Sequence, residues 1–226
     1  MNLLASSHTR SEENYLKAIY AVSQKAKKGA STTAIAGRLQ TKASSVTDMV
    51  KKLSEKGLVD HRPYHGVRLT DQGRKVATQI IRRHRLWETF LVNHLNYRWD
   101  EVHELAEQLE HIRSHDLTDR LDTFMDHPKF DPHGDPIPDR NGHFADNGGA
   151  MPLSQVPKDT LVHIVGVRDS SPAFLKLLDG LSLKIGTQLT IMRRFEFDNS
   201  AEVSTRFNSA MLLNERVCEN LTVKVL

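Results

Sequence analysis

The sequence predicts a mainly α protein with a C-terminal β domain, and three observations predict it. Apolar residues recur at helical spacing through the first half of the chain. The stretch HPKFDPHGDPIPDRNGHFADNGGAMPLSQ then carries so many prolines and glycines that long regular elements are forbidden, which makes it a linker. From Leu161 onward, β-branched and apolar runs recur between turns, in LVHIVGV, TQLTIM, AEVSTRF and NLTVKVL. Those runs read as a small β-barrel or roll, with a short helix around SPAFLKLLDG and a buried strand position for Cys218.

Residues 11 to about 98 read as helix, short helix, helix, hairpin and long helix, and two further helices follow to about 127. Ser31 is placed to cap the short helix, whose Ile35 and Leu39 face inward. After the turn QTK, Val46, Met49, Val50 and Leu53 form the buried stripe of the next helix, which Gly57 closes. LVDHRPYHGVRLT supplies two short strands around His65-Gly66. Helix, tight turn, helix and a two-stranded wing describe a winged helix-turn-helix.

On the second of those helices the apolar stripe leaves Ser44, Ser45, Thr47, Asp48, Lys51 and Lys52 outward, with Thr33 and Lys42 at the neighbouring helix starts. Small hydroxyls allow close approach to a groove, an aspartate accepts from a cytosine amino group, and lysines bind phosphate. Arg62, His65 and Arg68 on the wing are placed to follow the adjacent backbone. Serine and lysine are common on any exposed helix, and some winged helices bind proteins. The complete architecture in order favours DNA.

The 226 residues suffice for two modest domains, and 38% hydrophobic content with no apolar run near the ~18 residues of a membrane span predicts a soluble protein. The N-terminal MNLLASSHTRSEENYL lacks the pattern of a secretory signal, so a cytoplasmic location is expected. A single cysteine, Cys218, excludes an internal disulfide and any multi-thiolate metal site. Any bound metal is therefore held by nitrogen and oxygen. The net charge of +3 is too balanced to indicate a polyanion partner. Its distribution says more: Lys17 to Arg85 is strongly basic, and Asp100 to Asp139 is acidic with interspersed histidines.

In VHELAEQLEHI, the residues His103, Glu107, Glu110 and His111 fall within a single helical arc of roughly 100°, opposite Val102, Leu105, Ala106, Leu109 and Ile112. That geometry permits a solvated face or the wall of a metal site. In DQGRKVATQIIRRHRLWETFLVNHL, His84 and Glu88 fall inside the apolar arc with Val76, Ala77, Ile80, Ile81, Trp87 and Leu91. Polar groups there need partners, since stranding one costs about 1–3 kcal/mol. A buried His–Glu hydrogen bond meets that need, and so does a divalent cation held at i, i+4. Two helices each offering such a set favour convergence on a metal. HELAEQLEH misses two zinc-protease motifs at one position, Glu107 standing where each needs histidine. With no nucleophile pattern or phosphate loop, an enzyme is not expected.

The motifs SEENYLKAIY, ASSVTDMVKKLSEKGLV, RRHRLWETFL, VHELAEQLEHI and GDPIP, in this order, resemble the diphtheria toxin repressor family of metal-dependent regulators, including its manganese-responsive branch. The resemblance covers essentially the whole chain. It implies a winged helix-turn-helix DNA-binding domain over 1–73, a helical metal-binding and dimerisation domain over 74–138, a linker over 139–154 and an SH3-like (FeoA-like) barrel over 155–226. It also implies that His84, Glu88 and His103 match one metal site and Glu110 and His111 the other, with the site of His84 open because the branches use it differently. Glu107 stands where iron-type members have cysteine and manganese-type members glutamate, and Asn14 where they have methionine or aspartate. The barrel ligands of iron-type members fall on Ser170 and Ala173, which are not ligands. Some manganese regulators of the family carry Cys-Pro-His-Gly before the linker, and DPHG here offers Asp131 and His133, with Asp169 as a neighbour.

All-N/O ligation suits Mn(II) or Fe(II). The expectation is a Mn(II)-sensing homodimeric repressor that binds palindromic double-stranded operator DNA, controls metal homeostasis and contacts no membrane. The alternatives are an Fe(II)-dependent repressor of the same family, a metal-independent winged-helix regulator and a metallohydrolase.

Overall fold

A computed structural model describes residues 8–25, 29–62, 66–208 and 210–226. The chain divides into two compact units, and the long helix α4 (Asp71–Leu95) runs through both. The first contains residues up to 84, with 109–113 and 138–143; the second contains 85–108, 114–137 and 144–226. Among the described residues no helix is long and apolar enough to cross a membrane.

The first unit is built from α1 (Arg10–Lys25), α2 (Thr32–Arg38), α3 (Ala43–Glu55), β1 (Val59–Arg62), β2 (Gly66–Leu69) and the start of α4. Thr9 and Glu12 open α1 as a reciprocal cap: each backbone N–H donates to the other's side chain, at 3.0 and 3.2 Å. The Ser31 hydroxyl accepts from Ala34 N at 3.1 Å, as expected of the cap of α2. Gly57 has φ +69° just past α3, and Leu58 N donates back to Leu53 O at 2.9 Å, closing the helix. Leu16, Ile19, Ile35, Val46, Val50, Leu53, Leu58 and Val67 form the core. The strands pair antiparallel from Val59 opposite Leu69 to Arg62 opposite Gly66. The wing tip, with His65, lies outside the described residues. A Cβ on Gly73 would stand 1.9 Å from the Leu58 carbonyl oxygen, so glycine allows the first turn of α4 to seat there.

In the second unit, the latter part of α4, α5 (Val102–Leu109) and α6 (His115–Phe124) precede the linker, and Leu86, Leu121 and Ile137 form a small core. The β region is one antiparallel sheet ordered β3-β8-β4-β5-β6-β7. Its strands are β3 (Met151–Pro152), β4 (Leu161–Val167), β5 (Gln188–Arg194), β6 (Ala201–Thr205), β7 (Met211–Leu213) and β8 (Leu221–Val225). The expected short helix is α7 (Pro172–Gly180).

Three features differ from expectation. Cys218 is buried, but in the helix α8 (Glu215–Asn220), because Asn214 accepts from Val217 N and starts a helical turn in front of β8. The strands β3 and β7 are too short to show an alternating pattern. Finally, α5 stops at Leu109, so Glu110 and His111 leave the helical wheel on which His103 and Glu107 remain.

Candidate metal centres and DNA-reading face

The outer face of α3 carries Ser44, Ser45, Thr47, Asp48, Lys51 and Lys52, all exposed, with Thr33 on α2 and Lys42 before α3 also exposed. The Thr47 hydroxyl donates to Ala43 O at 3.0 Å. Lys52 is anchored inward: its Nζ lies 2.9 Å from Glu12 Oε1, and Lys56 Nζ lies 2.8 Å from the same oxygen. Burial raises the pKa of Glu12, but hydrogen bonds from Lys56, Lys52 and the Thr9 backbone outweigh it and bring the carboxyl down to about 2. This carboxylate fastens the start of α1 to the end of α3. Arg62 ends β1, opposite Gly66.

In the same unit a second carboxylate, Glu110, is wholly buried. Lys17 Nζ donates to Glu110 Oε1 at 2.8 Å and to Oε2 at 2.7 Å, and His84 Nδ1 lies 2.6 Å from Oε2. Burial pushes this carboxyl up, while His84 and Lys17 pull it further down, leaving it below the ordinary range. Arg83 Nε donates to the Glu110 backbone carbonyl at 2.5 Å, which holds the residue just past the end of α5. Beside it, His111 Nδ1 lies 2.5 Å from Glu13 Oε2 and His111 Nε2 lies 4.0 Å from Glu110 Oε1. Glu13 is buried and also meets Arg113 at 3.2 Å and Arg83 at 3.7 Å. A His whose Nδ1–H is held by a carboxylate presents Nε2 in a fixed direction, the arrangement that orients metal-binding imidazoles. Asn14, the next residue on α1, is exposed.

The second unit gathers another set around Glu88, which is 2% exposed. His103 Nδ1 lies 3.1 Å from Glu88 Oε1, and His133 Nδ1 lies 3.7 Å from Oε2. His103 Nε2 faces Glu107 Oε1 at 3.5 Å, and both of those side chains are about half exposed. Glu88, Asp131 and His133 are all buried and each offers a ligand atom within 4.8 Å of the others'. His133 is positioned from three directions. Its Nε2 lies 2.8 Å from the Trp99 carbonyl, its ring stacks on Trp99, and its backbone N donates to Asp131 Oδ1 at 2.9 Å. With Nε2–H on that carbonyl, Nδ1 is the nitrogen turned to Glu88. Gly134 follows at φ +86°, where a Cβ would stand 2.1 Å from the Val165 carbonyl oxygen. That close approach is why glycine follows the histidine. Asp169 is half-buried and accepts from Ser171 N at 2.9 Å at the entrance of α7.

Electrostatics test whether this cluster suits a cation. Burial, then the charges of Glu88 and Asp135, push the Asp131 carboxyl up to about 7. Burial lowers the pKa of His133, but the neighbouring Glu88 carboxylate, with Asp131 and the Trp99 carbonyl, prevails and carries it up to about 9. The buried carboxylates of Glu88 and Asp131 face His133 and an Arg85 guanidinium that is shared with Asp135. Its donors, carboxylate oxygen and imidazole nitrogen without sulfur, fit a divalent ion of intermediate or hard character.

Sequence reasoning had found most of these residues and missed Glu13, Lys17 and Arg83. The pattern T-x-x-E at Thr9 to Glu12 marks a helix start, so Glu13 looks like an ordinary acid of the first turn, and Lys17 looks like its solvated i+4 partner.

Comparison with known proteins gives matches in succession along the chain. A model for the iron dependent repressor N-terminal DNA binding domain matches residues 8–67, one for the iron dependent repressor metal binding and dimerisation domain matches 70–139, and one for the FeoA domain matches 151–225. A solved structure of a manganese-dependent transcriptional repressor in complex with manganese is similar at 35% identity and TM-score 0.86, covering 95% of this chain and 100% of that one. The iron-dependent repressor IdeR of Mycobacterium tuberculosis is 36% identical over 104 residues, which make up 46% of this chain and 45% of that protein. The diphtheria toxin repressor of Corynebacterium efficiens is 26% identical over 167 residues, 70% of this chain and 73% of that protein. Domain matches that follow the order of the fold, with a likeness over the full length of a solved repressor, show that the chain belongs to the diphtheria toxin repressor family of metal-dependent transcriptional repressors, which are regulators and not enzymes.

Proposed function

We propose that this chain is a Mn(II)-responsive repressor that binds palindromic operator DNA as a homodimer and controls metal homeostasis in the cytoplasm. The observation that carries the metal assignment is the buried Glu88, Asp131 and His133 cluster, which brings two carboxylates and an imidazole within ligand distance of one another and offers no sulfur. One ion is assigned to Glu88, His103, Asp131 and His133, with Asp169 as an adjacent acid. The other is assigned to Glu110 and His111, with His84 as a further donor; the family resemblance adds Asn14, while Glu107 faces His103. When bound, a divalent cation supplies charge that joins side chains from separate segments. The chain's own contribution is to aim them: Glu13 turns His111, and the Trp99 carbonyl and ring turn His133.

Ser44, Ser45, Thr47, Asp48 and Lys51 are assigned to the major groove or its phosphates, with Thr33, Lys42, Arg62 and His65 at the flanks and Lys52 between DNA and Glu12. The domain limits follow as 1–73 for the reader, 74–138 for metal binding and dimerisation, 139–154 for the linker and 155–226 for the SH3-like barrel. A second copy is supported by Phe124, which is 65% exposed and packs at 6.0 and 4.9 Å from the rings of Phe90 and His94. Two heads then meet half-sites about one DNA turn (~34 Å) apart.

Coupling between metal and operator is typically ~1–3 kcal/mol, or about 5–150-fold in affinity, and is reciprocal. The test is a gel shift on a palindromic promoter fragment under anaerobic titration with Mn(II) or Fe(II), beside a chelator lane. A shift that needs Mn(II) supports the reading. A shift indifferent to chelator overturns the metal switch. Iron remains the second reading because the M. tuberculosis relative is an iron-dependent repressor, and activation by Fe(II) at lower free concentration than Mn(II) favours it.

A further inference from the structure

We infer that the ammonium group of Lys17 is a built-in competitor for the metal ion at Glu110, so that this centre fills only by evicting a cation belonging to the chain. The inference rests on the reading above that Glu110 is a metal ligand.

Both oxygens of the Glu110 carboxylate are taken by the same Nζ, at 2.8 and 2.7 Å, and the carboxylate has no exposure to solvent. A metal ion coordinated by that carboxylate needs the volume and the lone pairs that the ammonium holds. The lysine side chain is itself only 19% exposed, so it is packed into the site and not drawn to it across solvent. Its position follows from α1, where Glu13 and Lys17 stand one turn apart on one face: Glu13 holds His111, and Lys17 holds Glu110. Helix α1 therefore brings both an acid that aims one metal-binding side chain and a base that blocks another. Lysine suits the blocking role, being a compact point charge on a flexible stem that can leave without rearranging the backbone.

Two consequences follow. Metal-free protein is stabilised at Glu110 by a cation of its own, because an ionised carboxylate buried there alone is costly. Metal affinity at this centre is set below what its donor set would give, because each binding event breaks the Lys17–Glu110 pair.

The experiment uses the full chain, stripped of metal, titrated with Mn(II) in a calorimeter, with thermal unfolding in chelator measured alongside. Lys17→Met removes the charge at similar length. It is expected to tighten Mn(II) binding at the Glu110 centre about tenfold, a loss of one strong charge-assisted pair, and to lower the unfolding temperature of the metal-free form. Lys17→Gln is the second variant and carries the same expectation if Lys17→Met does not fold. Lys56→Met removes the same charge from Glu12 and is expected to leave Mn(II) affinity within about twofold. Unchanged or weaker Mn(II) binding in the Lys17 variants overturns the inference, and so does equal tightening in Lys56→Met, which would show a general charge effect. Glu110→Gln separates the two levels. If it binds as many Mn(II) ions as the parent with equal affinity, the assignment of Glu110 as a ligand fails, whatever the Lys17 variants do.

Discussion

Around Glu110 the buried carboxylate is met by an ammonium and an imidazole from the chain itself, whereas around Glu88 and Asp131 two buried carboxylates share His133, and the Arg85 guanidinium, 3.5 Å from Asp131, is divided among Asp131, Asp135 and the Pro136 carbonyl. The same residue types thus produce opposite charge balances. Glu110 lies below the ordinary carboxylate range and Asp131 is pushed up to about 7. A cluster that contains its own counter-charge is stable without metal and yields to it reluctantly. One whose counter-charge is shared among several acids leaves a buried carboxyl raised, and a cation or a proton relieves it.

The largest expected effect tests the first half of that contrast. Glu110→Ala leaves Lys17 and His84 facing each other in a buried space, and breaking a buried pair from one side costs about 3–5 kcal/mol. Urea denaturation of metal-free protein measures it, and a loss below about 1 kcal/mol would mean the lysine pair is not a stabilising feature. Glu88→Gln tests the second half. It removes the carboxylate that faces both His103 and His133, and Mn(II) affinity at that centre is expected to fall about 100-fold, with one fewer ion per chain in calorimetry. Metal-free stability is expected to change much less than in Glu110→Ala.

A third test compares pH responses without metal. The Asp131 carboxyl sits near 3.8 when unfolded and about 7 when folded. Between those values the folded state binds the extra proton, so stability contributed by that proton falls as pH rises from about 4 to about 7 and is then constant. Asp131→Asn keeps an oxygen for the backbone amides of His133 and Asp135 and removes the charge. The variant is expected to gain on the parent through that window, on the order of 1–3 kcal/mol by pH 8 in chelator. A pH profile parallel to the parent's would show that Asp131 is not stressed.

Legibility in the sequence followed the range of the interactions. The reading head rests on local signals: a serine cap at Ser31, a stripe at Val46, Val50 and Leu53, and a glycine at Gly57, all of which the fold reproduces. His84 and Glu88 were legible because a polar residue inside an apolar arc announces a buried partner. The counter-charge on Glu110 was not, because Lys17 and Glu110 are 93 positions apart and nothing local marks their meeting. Extending the wheel of VHELAEQLEHI past Leu109 put four ligands on one arc, whereas the helix end gives Glu110 to one cluster and leaves His103 with Glu88 in the other. Helical periodicity carries no information about where a helix stops when no glycine or proline marks the place.

The smallest effect separates two neighbours on α1. Family resemblance puts a ligand at Asn14, whereas the structure buries Glu13 against His111 and leaves Asn14 exposed. Consecutive helical residues point about 100° apart, so the two do not exchange roles without the helix turning. Glu13→Gln keeps the shape but weakens the hold on Nδ1–H, and the loss of an orienting carboxylate is expected to cost about tenfold in Mn(II) affinity at the Glu110 centre. Asn14→Ala is expected to change that affinity by less than about twofold, because an exposed amide contributes little either way. Calorimetry on the two variants decides between them: if Asn14→Ala costs more than Glu13→Gln, α1 rotates when metal binds, and the exposed face of the metal-free helix becomes the ligating one.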